Sequence, residues 1–260
     1  MDAVLAALGR PLVQLVAELR ALFAMLAWTC LRAVRGRHEK GAFVREAYQI
    51  GNRSVFFVTL TMGFIGMILV FQAGLQAMKI VPDLTLLGAT FAEILVRDLA
   101  WSIGAMMLAT RVGAGIAAEI GSMVVTEQVD ALRMCSADPV EYLVVPRFLA
   151  SIVMTFAVLI WGGVMAFGAG MITANVVFEV NYATFANFSL VDAGDVIVGL
   201  TKGLAYGAAI PIVSARAGLT TFGGSEGVGW ATTSAVVNSS LAVIVLNFFI
   251  SAAGYLIFPT

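Results

Sequence analysis

The chain alternates long apolar runs with short polar connections. Five runs of 20 residues or more are predominantly apolar: 55–78, 84–110, 146–175, 196–215 and 235–258. At about 1.5 Å per residue each is long enough to cross a hydrocarbon layer of ~30 Å as a helix. The N-terminal segment, 1–31, has a different pattern. Leu12, Leu15, Val16, Leu19, Leu22, Phe23 and Leu26 recur at helical spacing, but Gln14, Glu18 and Arg20 dot the rest. Gly9, Arg10 and Pro11 are expected to break it. This reads as a helix lying in the membrane interface; a sixth span is the competing reading. The predicted fold is all-α: a single polytopic membrane domain over 1–260, with an N-terminal interfacial helix and five transmembrane helices.

The main polar interruption runs from Arg111 to Pro146. Within it Thr126 is placed to cap a short helix whose first turn holds Glu127, Gln128 and Asp130. Acidic side chains there oppose the positive end of the helix dipole. Val125, Val129 and Leu132 share one face, and Glu127, Asp130 and Arg133 the other. Pro139 disfavours helix in the residue before it, so the helix must stop near 136–138. Asp138-Pro139-Val140-Glu141 then opens the next helix with an Asp cap and Pro at its first position. A solvated loop without a partner would also carry such charges.

Composition sharpens the class. With 60% hydrophobic residues, 12% charged and a mean hydropathy of +0.96, the chain is not a soluble globular domain. Its net charge of -1 and lack of a basic block give no reason to expect nucleic acid. Met1-Asp2-Ala3 has no basic leader, so insertion is expected to use the spans themselves. Arg32, Arg35, Arg37, His38, Lys40, Arg45 and Arg53 form the most basic connection, whereas 179–195 carries acids and no base. The positive-inside rule therefore places the N-terminus and the Arg111–Arg147 connection in the cytosol and the C-terminus outside. Cys30 and Cys135 both fall on the cytosolic side, which implies no disulfide.

Several motifs tempt and fail. Gly223-Gly224-Ser225-Glu226-Gly227 fits a nucleophile elbow, but that motif needs a strand-to-helix turn and a histidine base. The single histidine, His38, lies in another connection. Gly113-x-Gly115-x-x-Ala118 follows an apolar helix rather than a strand, so it lacks the dinucleotide mechanism. Lys40, Lys79 and Lys202 are the only lysines, and none has a phosphate-loop context. The chain is thus expected to be no ATPase and no enzyme. No cofactor is expected, and no cluster has metal-ligand spacing. Gly199, Gly203 and Gly207 form a GxxxGxxxG ladder suited to close helix packing.

Charges within the spans are the functional signal. Glu93, Arg97 and Asp98 lie on the second span and Lys202 on the fourth. Arg97, halfway along 84–110, is expected near the midplane, where a charge costs about 2.5–3.5 kcal/mol. Glu93 and Arg97 are spaced i, i+4 in the favourable order and are expected to offset part of that cost. The group is either an ion pair that fixes packing or a polar spot in a headgroup-accessible cavity. Arg presents a planar fork that matches phosphate oxygens.

The wording RVGAGIAAEIGSMVVTEQVDALRM, followed by DPVEYLVVPR, resembles the signature of the MlaE/YrbE permeases, with FIGMILVFQ (Phe64–Gln72) in support. These are the membrane subunits of MCE-associated ABC lipid transporters. The resemblance implies a coupling region over 119–145, with Glu119, Glu127, Gln128, Asp130 and Arg133 meeting a cytosolic ABC ATPase subunit. It implies a homodimer, a phospholipid substrate, a periplasmic MCE-domain partner, a STAS-domain partner and a bacterial inner-membrane location. Lipid is expected at Glu93, Arg97, Asp98, Trp101 and Lys202, with tails on Leu69 and Leu75. The sequence departs from the family at Arg97-Asp98-Leu99-Ala100-Trp101, where Gly-Pro usually follows the charge pair. A straighter helix is expected there. Asn247 stands where the family often has Asp. An ion-coupled secondary transporter using the same charges is the alternative; a scaffold without transport is a third reading.

Overall fold

The computed structural model describes residues 2–35, 40–80 and 84–258. Among them all regular structure is helical. Helix α1 (Asp2–Arg35) leads into α2 (Lys40–Ile50) and α3 (Asn52–Ile80). The second span is continuous but irregular: α4 (Leu87–Ile94), a π turn at Leu95–Leu99, α5 (Ala100–Leu108), a second π turn at Ala109–Gly113, and α6 (Ala114–Val125). After the short α7 (Gln128–Met134), a π turn at Val140–Val144 opens α8 (Val145–Phe178). A four-residue α9 (Tyr182–Phe185), α10 (Ala193–Leu219) and α11 (Gly224–Ile257) complete the chain. Five stretches are long and apolar enough to cross a membrane, and α1 is not among them. Five crossings place α7 at one face of the bundle and α9 at the other.

Small residues set the packing. Every fourth position of α3 from Ser54 to Gly74 is buried, and that stripe faces α8. A Cβ on Gly66 would stand 2.1 Å from the Ala166 carbonyl oxygen, and one on Gly170 2.7 Å from Val70. The two backbones therefore touch, as polar-free helices do in lipid. The α10 ladder packs closely, as expected, and two of its rungs share one neighbour. Gly199 and Gly203 receive the Trp101 ring, and Gly207 lies on the Ile152 backbone of α8. α11 buries only a narrow stripe, mainly Ala231, Ala235, Ser239 and Val243, against α10 and α6.

Four expectations change. The second span does not end near Arg111; its helix continues to Val125 because Glu119 finds a cationic partner, so polar sequence need not interrupt it. The last helix begins at Gly224 rather than near 235. Gly223 and Gly224, in the left-handed region at φ 86° and 78°, turn the chain into it. Thr232 and Thr233 then return their hydroxyls to the Val228 and Gly229 carbonyls, which lets polar residues stay helical. α1 also runs through Gly9-Arg10-Pro11 without a break. Finally, the expected straight helix after Arg97 is a π turn. The widened turn bonds the Ala100 N–H to Leu95 O, and the Trp101 indole N–H donates to Val96 O at 2.7 Å.

Candidate functional site

Two charged regions stand out, one between α5 and α10 and one around α7. In the first, the π turn directs two consecutive side chains toward α10. Arg97 Nη1 lies 3.0 Å from Asp195 Oδ1, and Lys202 Nζ lies 2.5 Å from Asp98 Oδ1 and 3.2 Å from the Arg97 carbonyl. Ser102 adds a hydroxyl to Asp98 at 2.9 Å. The Arg97 guanidinium also covers the Tyr255 ring at 4.2 Å. Asp195 is fixed in turn by the first turn of α10, where it and Asp192 form a capping box. One step deeper, Tyr206 donates to Asn247 Oδ1 at 3.0 Å. The residue in the family's Asp position thus serves as a hydrogen-bond acceptor without charge.

This placement corrects two expectations. Arg97 is paired with Asp195, not Glu93; Glu93 is half-buried and forms no ion pair among the described residues. Nor is Arg97 at the centre of its span. It lies roughly 15 Å from Leu87 and roughly 42 Å from Val125 along the axis. Its partners, Asp195 at the start of α10 and Tyr255 near the end of α11, put it toward the α9 face. There Arg97, Asp192, Gly194, Asp195, Val198 and Phe258 border a cavity of about 270 Å³. Lys202 is fully enclosed. Trp101 is buried between α10 and Phe156. On α3, Leu75 faces outward, whereas Leu69 packs partly into the core. The geometry therefore brings Arg97, Asp98, Trp101 and Lys202 together and leaves Glu93, Leu69 and Leu75 apart from them.

In the second region, α7 stands off the end of α6. Val129 is buried, whereas Glu127, Gln128, Asp130 and Arg133 are exposed. Thr126 does not cap α7: its hydroxyl returns to Ser122 O as α6 ends, and Glu127 takes the preceding position at φ 60°. A non-glycine residue there carries backbone strain. Arg133 and Asp130 pair at 3.0 Å, both largely in solvent. Asp138 caps the next helix as expected, accepting from the Val140 N–H at 2.9 Å. The structure adds what the spacing did not show. Trp28 donates to Asp138 at 3.0 Å and Arg32 meets Glu141 at 2.7 Å, so the end of α1 grips the segment after α7. Glu119 is not free either. It holds the buried Arg147 at 3.0 Å, with Glu46 of α2 on the other side at 3.6 Å. It serves the packing of α2, α6 and α8.

The sequence matches Permease MlaE over residues 43–253. The chain belongs to the MlaE permease family. A probable ABC transporter permease protein of Synechocystis sp. is 35% identical over 236 residues, covering 90% of this chain and 89% of that protein. A probable ABC transporter permease protein of Rickettsia conorii is 36% identical over 211 residues, covering 80% of this chain and 81% of its own. The chloroplastic protein TRIGALACTOSYLDIACYLGLYCEROL 1 of Arabidopsis thaliana is 31% identical over 229 residues, which is 85% of this chain and 64% of that protein. The MlaE match covers the five membrane-spanning stretches except the first two residues of the first and the last four of the fifth. It fixes the chain as an ABC-type permease subunit and decides against the ion-coupled secondary transporter.

Proposed function

We propose that this permease moves phospholipid between the inner membrane and a periplasmic MCE-domain protein, toward or from the outer membrane. It works as a homodimer with a cytosolic ABC ATPase subunit and a STAS-domain protein on the same side. In this reading the N-terminus and α7 face the cytosol, and the α9 face and C-terminus face the periplasm. Hydrolysis belongs to the ATPase; the permease converts its closure into movement of the spans, as a rigid element with two packings. A lipid headgroup enters from the cavity at the α9 face and meets Arg97, beside Glu93, Asp98, Trp101 and Lys202. Its tails lie on α3 near Leu69 and Leu75. The name of the Arabidopsis relative is that of a diacyl glycerolipid, which supports a lipid as the substrate, though its galactosyl headgroup carries no phosphate.

One observation carries the proposal: α7 exposes Glu127, Gln128, Asp130 and Arg133 while anchoring itself through Val129. A seven-residue helix at a bundle end gains little for its own fold by this; a groove in a partner subunit uses it. The test is capture of the tagged, full-length chain from its native membrane, with identification of bound proteins and lipids. A nucleotide-binding subunit and phospholipid are expected. Recovery of the chain with neither would overturn the reading.

A further inference from the structure

Among the described residues Arg32, Arg45, Arg97, Arg133, Arg147 and Arg216 each pair with a carboxylate, whereas Arg53 and Arg111 pair with none. Arg53 occupies the first turn of α3 and is exposed. Arg111 sits on the second π turn, where its guanidinium donates to Ser54 Oγ at 2.5 Å. Ser54 in turn donates to Ile50 O, so Arg111 is seated on the α2–α3 junction. Arg53 is the residue immediately before Ser54, so the side chain that seats Arg111 sits beside a second positive charge. Two like charges at one junction, neither with a carboxylate within 4.0 Å among the described residues, repel and cost free energy unless an anion joins them.

The register of α3 shows what kind of anion. At about 100° per residue, Phe57, Leu60, Phe64, Phe71 and Leu75 all fall within ~60° of the direction of Arg53. All five are exposed. One face of α3 therefore carries a cation at its α2 end and an unbroken apolar stripe along the rest. The opposite face, from Ser54 to Gly74, is the one that packs on α8. A cationic head with an apolar track beneath it is the complement of a lipid: phosphate at one end and an acyl chain at the other.

We infer that Arg53 and Arg111 form a second headgroup site, which holds the phosphate of an anionic phospholipid from the leaflet on the α7 face, with its acyl chain along Phe57, Leu60 and Phe64. Arg111 supplies a guanidinium whose position Ser54 fixes, and Arg53 supplies an adjacent one free to close over the phosphate. This site lies at the opposite end of the bundle from Arg97. The inference rests on the phospholipid reading above and gives it an entry point at the other leaflet. It does not require that transport occur.

The test uses the full-length permease in phosphatidylcholine vesicles doped with a photoactivatable phosphatidic acid whose acyl chain carries the reactive group. Labelling is expected on the Phe57–Phe64 stretch. Arg53→Gln should reduce it about fivefold, the factor one basic side chain contributes at an anionic membrane surface. Arg53 is exposed and makes no salt bridge among the described residues, so this variant removes a charge without breaking an ion pair. Arg111→Gln should reduce labelling further, with Ser54→Ala reproducing part of that loss. Labelling of Phe248 and Phe249 on the exposed face of α11 should be the same in every variant. Equal labelling of Phe57–Phe64 in Arg53→Gln and unmodified protein would overturn the site. Loss of labelling on adding inorganic phosphate at millimolar level would show that it takes a free anion, and would overturn the lipid assignment. Labelling is read without transport, so a permease that moves no lipid but labels as described refutes the transport proposal and leaves this site standing.

Discussion

The charges between α5 and α10 and those on α7 obey opposite rules. Lys202 is fully enclosed, and its carboxylate partner lies within 2.5 Å. Asp130 and Arg133 are also paired, at 3.0 Å, yet each side chain is nearly two-thirds exposed. A charge that cannot reach water must find its counterion within the fold or neutralise, and breaking such a pair costs about 3–5 kcal/mol. A pair in solvent contributes roughly 0–1 kcal/mol and leaves its groups free for something else. Stability is therefore stored in the first region, and partner recognition is open to the second.

The largest effect should follow from Asp98→Asn. It leaves Lys202 enclosed with only the Arg97 carbonyl and a neutral amide. A loss of about 3–5 kcal/mol is expected, seen as a lower unfolding midpoint in detergent and reduced yield. Lys202→Met should cost less, because Asp98 keeps Ser102 and some access to solvent. The double variant should recover most of the loss. A double variant as unstable as Asp98→Asn alone would mean that Asp98 acts through something other than Lys202.

Next in size is the seat of Trp101. A Cβ at Gly199 would stand 2.2 Å from the indole nitrogen and 2.5 Å from Val96 O. Gly199→Ala must push the ring or the π turn aside, at about 1–3 kcal/mol. The same substitution at Gly115, where a Cβ would meet nothing within 4 Å, should be neutral or slightly stabilising. Similar losses at both positions would show that helix propensity, not the Trp101 contact, sets the effect.

How much of this was legible follows the same division. Apolar length and period carry the number of spans, because the bilayer imposes both. The Asp138 cap and the glycine ladder were legible because each is a local device with a fixed spacing. The helix end at Val125 was not, since what extends it is distant in sequence: Arg147 for Glu119. The start at Gly224 was not either, because a glycine-rich stretch reads as loop, and only the backbone shows Gly223 and Gly224 in the left-handed region at the head of α11. Arg97 was read as the partner of Glu93 because i, i+4 spacing is visible in one dimension. Asp195, nearly a hundred residues away, is not visible there. Its signal was an acid three residues after Asp192, just ahead of the run predicted over 196–215, a spacing that reads first as a capping box. The α1 grip on Asp138 and Glu141 was hidden in the same way. Arg32 belongs to a basic connection that topology alone explained.

A smaller change separates packing from binding at Arg97. Arg97→Lys keeps the charge that Asp195 needs but loses the planar fork and the flat contact with Tyr255. A stability loss of about 1 kcal/mol is expected, with assembly intact. If the α9-face cavity receives a headgroup, lipid transfer should fall several-fold more than stability explains, because an ammonium cannot hold phosphate with two parallel bonds. Transfer at the unmodified rate would leave Arg97 a packing residue.

The smallest effect on stability, and the clearest on function, is expected at α7. Glu127 is exposed and makes no salt bridge among the described residues, so Glu127→Lys removes nothing that holds the fold. Its cost should stay within about 0.5 kcal/mol. Against an ATPase groove the same reversal is large. Losing one member of a desolvated pair strands the other, at about 2–5 kcal/mol, and a like charge adds repulsion. Glu127→Lys should therefore release the ATPase, or let it hydrolyse ATP without regard to lipid, in a permease that unfolds at the unmodified temperature. The left-handed backbone supplies the control. At φ 60° glycine relieves strain that any side chain bears, so Glu127→Gly should raise the unfolding midpoint slightly while deleting the charge. If coupling survives in the glycine variant and fails in the lysine one, repulsion alone is at work and Glu127 contributes no attraction. If both fail, the carboxylate is the contact. Normal copurification and lipid-stimulated hydrolysis in both would take the ATPase off this helix, and the exposed face of α7 would be no more than a wet turn between two spans.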